Sequence, residues 1–286
     1  MNSNIPEYKW WNNPGEPPVN LKTKKQLAEI GLRPLAAVGI IHTQKYDVLL
    51  YDIQDSASVA PKREVSAKQL ESLAKGRKIT QRRAAYRRWN REFGEIVRDR
   101  NEAIEWAQKV LQEPDKYIIL DTETTGLFKA ELVQIGIIDL QGNAILDSFI
   151  KPTISIPQEV IEIHGITDKM VINAPSFPKI HHKIDEAVKS KKVLIYNADF
   201  DTLILQYCCK LHDLSLKFAS ECLMNYYAQY YGEYSKYYES YRWQPLNGTH
   251  NAIGDCLSAL ECLREMASTK TSSLKESFEA AYPEFI

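Results

Sequence analysis

The chain has 286 residues, a net charge of −1, 44% hydrophobic and 26% charged residues, and five cysteines. That is long enough for one large or two modest buried cores and ordinary for a globular protein, which excludes a fibrous or disordered chain. No stretch approaches the roughly 20 apolar residues that span a bilayer. The start, "MNSNIPEYKWWNNPGEPP", lacks the basic-then-apolar layout of a secretory signal. The odd cysteine count, without CxxC spacing, points to reduced thiols in a cytoplasmic setting, not to disulfides or zinc.

Residues 1–19, rich in Pro, Asn and Gly, read as a loose arm in which Trp10 and Trp11 dock onto the adjoining domain or stack on a base. Residues 20–78 read as a small α+β accessory module. Thr23 and Gln26 have capping-box spacing ahead of a short helix, with Gly31 at its end. "AAVGIIHT" and "YDVLLYD" read as strands joined through Gln44 and Lys45, and Ser66 and Gln69 open a second helix over "SAKQLESLAKG".

Residues 79–114 read as a long basic helix or linker, with Trp89, Phe93 and Ile96 or Val97 at helical spacing and Pro114 as its stop. Its other face carries Arg82, Arg83, Arg87, Arg88 and Arg91, a set suited to holding phosphates. From Lys62 to Arg100 there are 13 Lys and Arg against 5 Asp and Glu, a local +8. From Asp115 to Glu265 there are 14 against 20, a local −6. A basic segment beside an acidic domain suits a protein that grips a polyanion while doing metal chemistry on it, although a solvated helix face has the same composition.

Residues 115–268 change to an α/β pattern, and 269–286 read as a C-terminal tail. "KYIILDTE", "LVQIGIIDL" and "AILDSFI" read as strands, the last two joined by a hairpin at Gly142 and Asn143; helices, the strand "VLIYN" and the helix "DTLILQYCCKL" follow. In the first strand, Asp121 and Glu123 stand two residues apart and project to one face, with Thr122 on the other. Two carboxylates side by side repel, and a hard divalent cation with oxygen ligands is the usual answer. Gly126 lets the chain turn sharply just beyond them. "VLIYNADFDTLIL" is a second buried strand running into acids, with Asn197, Asp199 and Asp201 near its end. "THNAIGDCLSALECL" places His250 and Asp255 five residues apart at the start of an apolar helix, spacing that suits a base and a ligand.

"DTETTG", "NADFD" and "HNAIGD", in this order, resemble the three motifs of the DEDDh, or DnaQ-like, 3′-5′ exonucleases, and "IPQEVIEIHGITDKMV" resembles the segment this family carries between the first two. The resemblance covers about residues 115–268. It implies a ribonuclease H-like mixed five-stranded sheet flanked by helices, here preceded by the small α+β module and the basic helix. It implies Asp121, Glu123, Asp201 and Asp255 as ligands of two Mg²⁺ or Mn²⁺ ions, and His250 as the general base. The family's Asn-Ala-x-Phe-Asp pattern selects Asp201 over Asp199. The implied chemistry is two-metal hydrolysis, in which one ion activates water and the other stabilises the leaving 3′ oxygen, releasing nucleoside 5′-monophosphates. Thr124, Gly126 and Leu127 correspond to positions that cradle or wedge the terminal nucleotide. Asn197 lies near the scissile phosphate or fixes the strand end, and His164 touches the nucleotide or plays a structural part.

Eight of the sixteen tyrosines lie between Tyr226 and Tyr241. Helical spacing buries Tyr226 and Tyr230, with Tyr227 and Tyr231 beside them, until Gly232 ends the helix. Tyr234, Tyr237, Tyr238 and Tyr241 then stack substrate bases or form a docking surface. The expected activity is 3′-5′ hydrolysis of single-stranded or 3′-ended nucleic acid, DNA favoured. The alternatives are an RNA-trimming enzyme, a non-catalytic nucleic-acid-binding adaptor, or a protein-docking role for residues 20–111.

Overall fold

The computed structural model describes residues 5–286, and its contacts divide the chain into two units, residues 1–80 and 81–286. In chain order the first unit carries β1 (Glu7–Tyr8), β2 (Leu21–Thr23), α1 (Lys24–Glu29), β3 (Leu32–Pro34), β4 (Gly39–His42), β5 (Asp47–Asp52), β6 (Val59–Pro61) and the beginning of α2 (Ala67–Gln112). Four strands pair in the order β1-β4-β5-β2, and β3 pairs separately with β6. Leu21, Ile41 and Leu50 fill the small core of the sheet, and Trp11 packs on them while Trp10 stands half exposed. The expected loose arm is therefore tied down at Glu7 and Tyr8, which pair with Ile40 and Ile41. The capping box of α1 forms as its sequence predicts, with Thr23 accepting from the Gln26 N–H and the Gln26 side chain accepting from the Thr23 N–H.

Sequence reading separates a helix near 66–76 from a second beginning at Gln81. The structure has one helix of 46 residues. Gly76 costs a helix interior only about 1 kcal/mol relative to Ala. The Thr80 hydroxyl donates back to the Gly76 carbonyl at 2.9 Å across one helical turn, so nothing stops propagation there.

The second unit continues α2 into β7 (Tyr117–Thr124), β8 (Leu132–Ile138), β9 (Ala144–Phe149), α3 (Gln158–His164), α4 (Asp168–Val171), α5 (Phe177–Val188), β10 (Lys192–Ile195) and α6 (Ala198–Leu211). β11 (Ala219–Cys222), α7 (Leu223–Tyr231), β12 (Tyr234–Ser235), β13 (Ser240–Tyr241), α8 (Ala252–Ser268) and α9 (Leu274–Ala281) complete it. The five-stranded sheet runs β11-β10-β7-β8-β9, parallel among the first three and antiparallel from β7 to β9. This is the mixed α/β sheet the sequence implies.

The period-2 alternation of β7 sorts its side chains between two cores. Tyr117 and Ile119 join α2, α7 and α8, whereas Ile118 and Leu120 join α5 and α6. Ile118, Ile119 and Leu120 are fully buried, and each such side chain contributes about 1.5–3 kcal/mol. That anchoring makes the far end of β7 a rigid mount.

Residues 269–286, read as a tail, include α9, which opens with a Ser273–Glu276 capping box. α9 buries Phe278 edge-on against Tyr86 and Trp89 of α2. Among the described residues no helix is long and apolar enough to cross a membrane.

Candidate active site

β7 runs out of its two cores into Asp121, Thr122 and Glu123, and the same alternation continues. Asp121 and Glu123 follow Ile119 onto the α8 face, and Thr122 follows Leu120 onto the α6 face. Asp121 pairs with Gly136 of β8, and Glu123 with Gln134. A Cβ on Gly136 would lie 2.7 Å from the Ala252 carbonyl carbon, so the missing side chain is the space into which the start of α8 fits. Gln134 fastens it there: its Oε1 accepts from the Ala252 N–H and from Asn251 Nδ2, each at 3.3 Å. Asn251 caps the helix, accepting from the Gly254 N–H at 3.2 Å.

This docking delivers Asp255, in the first turn of α8, to the two β7 acids. Oxygens of Asp121, Glu123 and Asp255 all lie within 4.8 Å of one another. The 248–249 loop closes over Asp255. The Thr249 N–H donates to Asp255 Oδ1 at 2.7 Å, and a Cβ on Gly248 would meet that oxygen at 2.3 Å.

Asp201 stands outside this tight trio. It enters from α6 on the opposite face, buried, and accepts a hydrogen bond from the Thr122 hydroxyl at 2.6 Å. Its charge still reaches the trio, because it opposes ionisation of both Asp121 and Glu123.

Burial, then the neighbouring carboxylates, pushes the Asp121 carboxyl well above its usual range. Burial, then Asp255 and Asp201, raises Glu123 to about 7. Burial also raises Asp201 to about 7 against the pull of the Thr122 hydrogen bond. None of the ion pairs among the described residues involves these four acids. Clustered, desolvated oxygen donors without a protein cation fit a hard divalent ion.

His250 is exposed and sits in the left-handed region at φ 53°, a conformation that costs a non-glycine residue about 1–2 kcal/mol. Its neighbours hold it there: Thr249 is tied to Asp255 and Asn251 to Gln134. It stands close enough to His164 for its charge to oppose protonation of that ring.

His164, at the end of α3, is tied down at both ring nitrogens. Nδ1 accepts from the Ile166 N–H at 3.0 Å, which places the proton on Nε2, and Nε2 donates to the Thr124 carbonyl at 3.2 Å. Burial lowers its pKa, so it is a neutral brace for the turn that follows β7. In that turn the Thr124 hydroxyl donates to the Gly126 carbonyl at 2.6 Å, and Leu127 and Phe128 project into solvent.

Of the remaining candidates, Asn197 is exposed at the start of α6 with no capping hydrogen bond, and Asp199 is exposed beside it. The Tyr241 hydroxyl is given to Asp99 of α2 at 2.6 Å. Arg82 is paired with Glu279 of α9, whereas Arg83, Arg87, Arg88 and Arg91 are exposed. In α7 the spacing argument misplaces one ring: Tyr227 is buried and Tyr226 and Tyr230 are partly so, but Tyr231, the last residue of the helix, is exposed. Sequence reasoning misses Gln134, Gly136 and the role of Thr122. A polar residue and a glycine inside the otherwise apolar run "LVQIGII" were the available signal.

A carboxylate trio at the end of the central strand β7, with a fourth acid behind it, marks a hydrolase site whose donors fit a divalent ion. The family model for Exonuclease matches residues 118–263, and the chain belongs to that family, the DnaQ-like 3′-5′ exonucleases. It is a nuclease. A protein of Escherichia phage 186 named uncharacterized exonuclease CP81 is 36% identical over 173 residues, covering 54% of this chain and 89% of its own length. The DNA polymerase III epsilon subunit of Pasteurella multocida (strain Pm70) is 28% identical over 125 residues, 40% of this chain and 49% of that one. The chain thus spans about half the length of that relative. The solved structure of exonuclease X in complex with 5′ overhanging duplex DNA aligns with a TM-score of 0.40 and 22% identity, over 56% of this chain and 96% of that one.

Proposed function

We propose that the chain removes nucleotides from the 3′ end of DNA as nucleoside 5′-monophosphates, with Asp121, Glu123, Asp201 and Asp255 holding two Mg²⁺ or Mn²⁺ ions and His250 acting as general base. The observation that carries this reading is the trio of carboxylates within 4.8 Å, of which burial and neighbouring carboxylates raise Asp121 and Glu123, without a cationic side chain in an ion pair to relieve them. The ions supply an activated water and neutralise charge on the leaving oxygen.

The chain's own groups do the rest. The Thr122 hydroxyl orients Asp201, and the Thr249 N–H orients Asp255. His250, bracketed by two anchored neighbours, takes the proton of the attacking water; imidazole is the side chain that exchanges a proton near neutral pH. The braced turn at Thr124 and Gly126, with exposed Leu127, receives the terminal nucleotide, while Asn197 faces the approaching backbone. Arg83, Arg87, Arg88 and Arg91 hold phosphates of the upstream strand. The preference for DNA draws on the epsilon-subunit relative.

Matched 5′-labelled single-stranded DNA and RNA, incubated with Mg²⁺, Mn²⁺ or EDTA, test the proposal. The expected result is a ladder shortening from the 3′ end, faster on DNA, absent with EDTA, and yielding 5′-monophosphates. Faster shortening of RNA would replace the substrate assignment, and intact strands under every condition would replace the enzyme with a binding protein.

A further inference from the structure

We propose that residues 234–243 form a stacking platform for unpaired bases of the strand whose 3′ end occupies the carboxylate site, a proposal that rests on the exonuclease reading above. The segment folds as a hairpin in which Tyr234 pairs with Tyr241 and Ser235 with Ser240. Tyr237 is 86% exposed, Tyr238 75% and Trp243 67%. One exposed ring is ordinary on a protein surface, but three within seven residues on a two-stranded hairpin form a surface that repels water without burying itself. Tyr238, Tyr241, Arg242 and Trp243 line one hollow of about 490 Å³. Flat rings beside a guanidinium suit nucleobases, every one of which has a π face.

The hairpin is anchored at Tyr234, Tyr241 and Gln244. The Tyr241 hydroxyl donates to Asp99, the Tyr234 and Tyr241 rings meet edge to face at 5.2 Å, and the Tyr196 hydroxyl donates to the Gln244 carbonyl at 2.6 Å. Tyr238 and Trp243 are therefore displayed on a fixed frame, which reduces the ordering cost of binding.

Continuity with the active site identifies the occupant. Beyond Trp243 the chain is fixed at Gln244 and again at Thr249, whose N–H holds Asp255. The six residues from Trp243 to Thr249 span at most about 22 Å even when fully extended. A strand with its 3′ end at Asp255 has its next few bases within reach of these rings. The charge balance sets the mode of binding. Lys236 and Arg242 lie opposite Glu92 at 3.3 Å and Glu233 at 3.9 Å, and Glu239 is exposed on the same hairpin. Lys236 and Arg242 are offset by Glu233 and Glu239, so the platform holds bases by stacking and adds little to counterion release.

The test uses the full chain with Mn²⁺ and two probes, a single-stranded oligothymidylate and the p-nitrophenyl ester of thymidine 5′-monophosphate, which is too short to reach the hairpin. In Tyr238→Ala/Trp243→Ala the ratio of kcat/KM for the oligonucleotide to that for the ester falls by about tenfold or more. The dependence on salt keeps its slope, and Tyr238→Phe/Trp243→Phe restores the ratio. An unchanged ratio in the alanine variant, or an equal loss in the phenylalanine variant, overturns the platform alone. A wild-type protein that cleaves neither probe overturns the exonuclease reading and the platform with it.

Discussion

Gly136 lies directly across the sheet from Asp121, and its missing side chain is occupied by the Ala252 carbonyl at the start of α8. One hydrogen atom in place of a methyl group thus sets the distance between the β7 acids and Asp255. In Gly136→Ala the helix start must move or the strand must bend, a form of overpacking that costs about 1–3 kcal/mol. Because Asp255 moves with the helix, turnover falls by on the order of 100-fold. Thermal unfolding and single-turnover rates check both; wild-type turnover in this variant would separate Gly136 from the site.

The raised carboxyls tie the site to the stability of the metal-free fold. Glu123 moves from 4.5 in an unfolded chain to about 7, and Asp201 from 3.8 to about 7. The folded state therefore binds more protons than the unfolded state across that window. Their contribution to stability is fully present below the unfolded values and is lost as pH rises through about 7. Denaturant titrations in EDTA on either side of the window should show a less stable protein at the higher pH, and Mn²⁺ should reverse the trend. Thr122→Val removes the hydrogen bond that holds Asp201 down, so the upper edge of the window should move to higher pH. A metal-free protein that gains stability from slightly acid to slightly alkaline pH would contradict this account.

Much of this site is legible in the chain because its parts are local. Asp121 and Glu123 share a face through strand alternation alone, and His250 and Asp255 belong to a single helix start. What escapes is long-range. Thr122 reads as a residue turned away, and only the fold reveals that it turns toward Asp201, 79 positions on. Gln134 and Gly136 sit inside a strand whose burial looks apolar throughout, and their task depends on a helix more than a hundred residues later. The merged α2 reflects a weak signal, since Gly76 is a small penalty that a long helix absorbs. The docked end of the chain carries a local signal of its helix, Ser273 and Glu276 at capping-box spacing followed by Phe278.

His250→Gln separates base from ligand. The variant should lose about 10²- to 10⁴-fold in kcat. It should still bind Mn²⁺ like the wild type, because His250 lies outside the carboxylate trio. Equilibrium Mn²⁺ binding measured beside steady-state rates gives the comparison, and a parallel loss of metal would make His250 a ligand instead.

Replacing Arg83, Arg87, Arg88 and Arg91 with Gln probes the basic face of α2. Each phosphate contact removed should flatten the dependence of log affinity on log salt by about 0.7 for a single strand. Arg82 is left in place because it holds Glu279 of α9. Binding of labelled oligonucleotide in EDTA across a salt series reads the slope. An unaltered slope would make this face a solvated or protein-docking surface.

The most direct measurement of the central claim is the number of Mn²⁺ ions bound per chain in the presence of thymidine 5′-monophosphate, read from the paramagnetic resonance of the free ion. The arrangement of Asp121, Glu123, Asp201 and Asp255 predicts two ions in the wild type. It predicts fewer in Asp121→Ala, with exonuclease activity lost in step. Absence of Mn²⁺ binding by the wild type, or full binding by Asp121→Ala, would contradict the assignment of these carboxylates as the metal site.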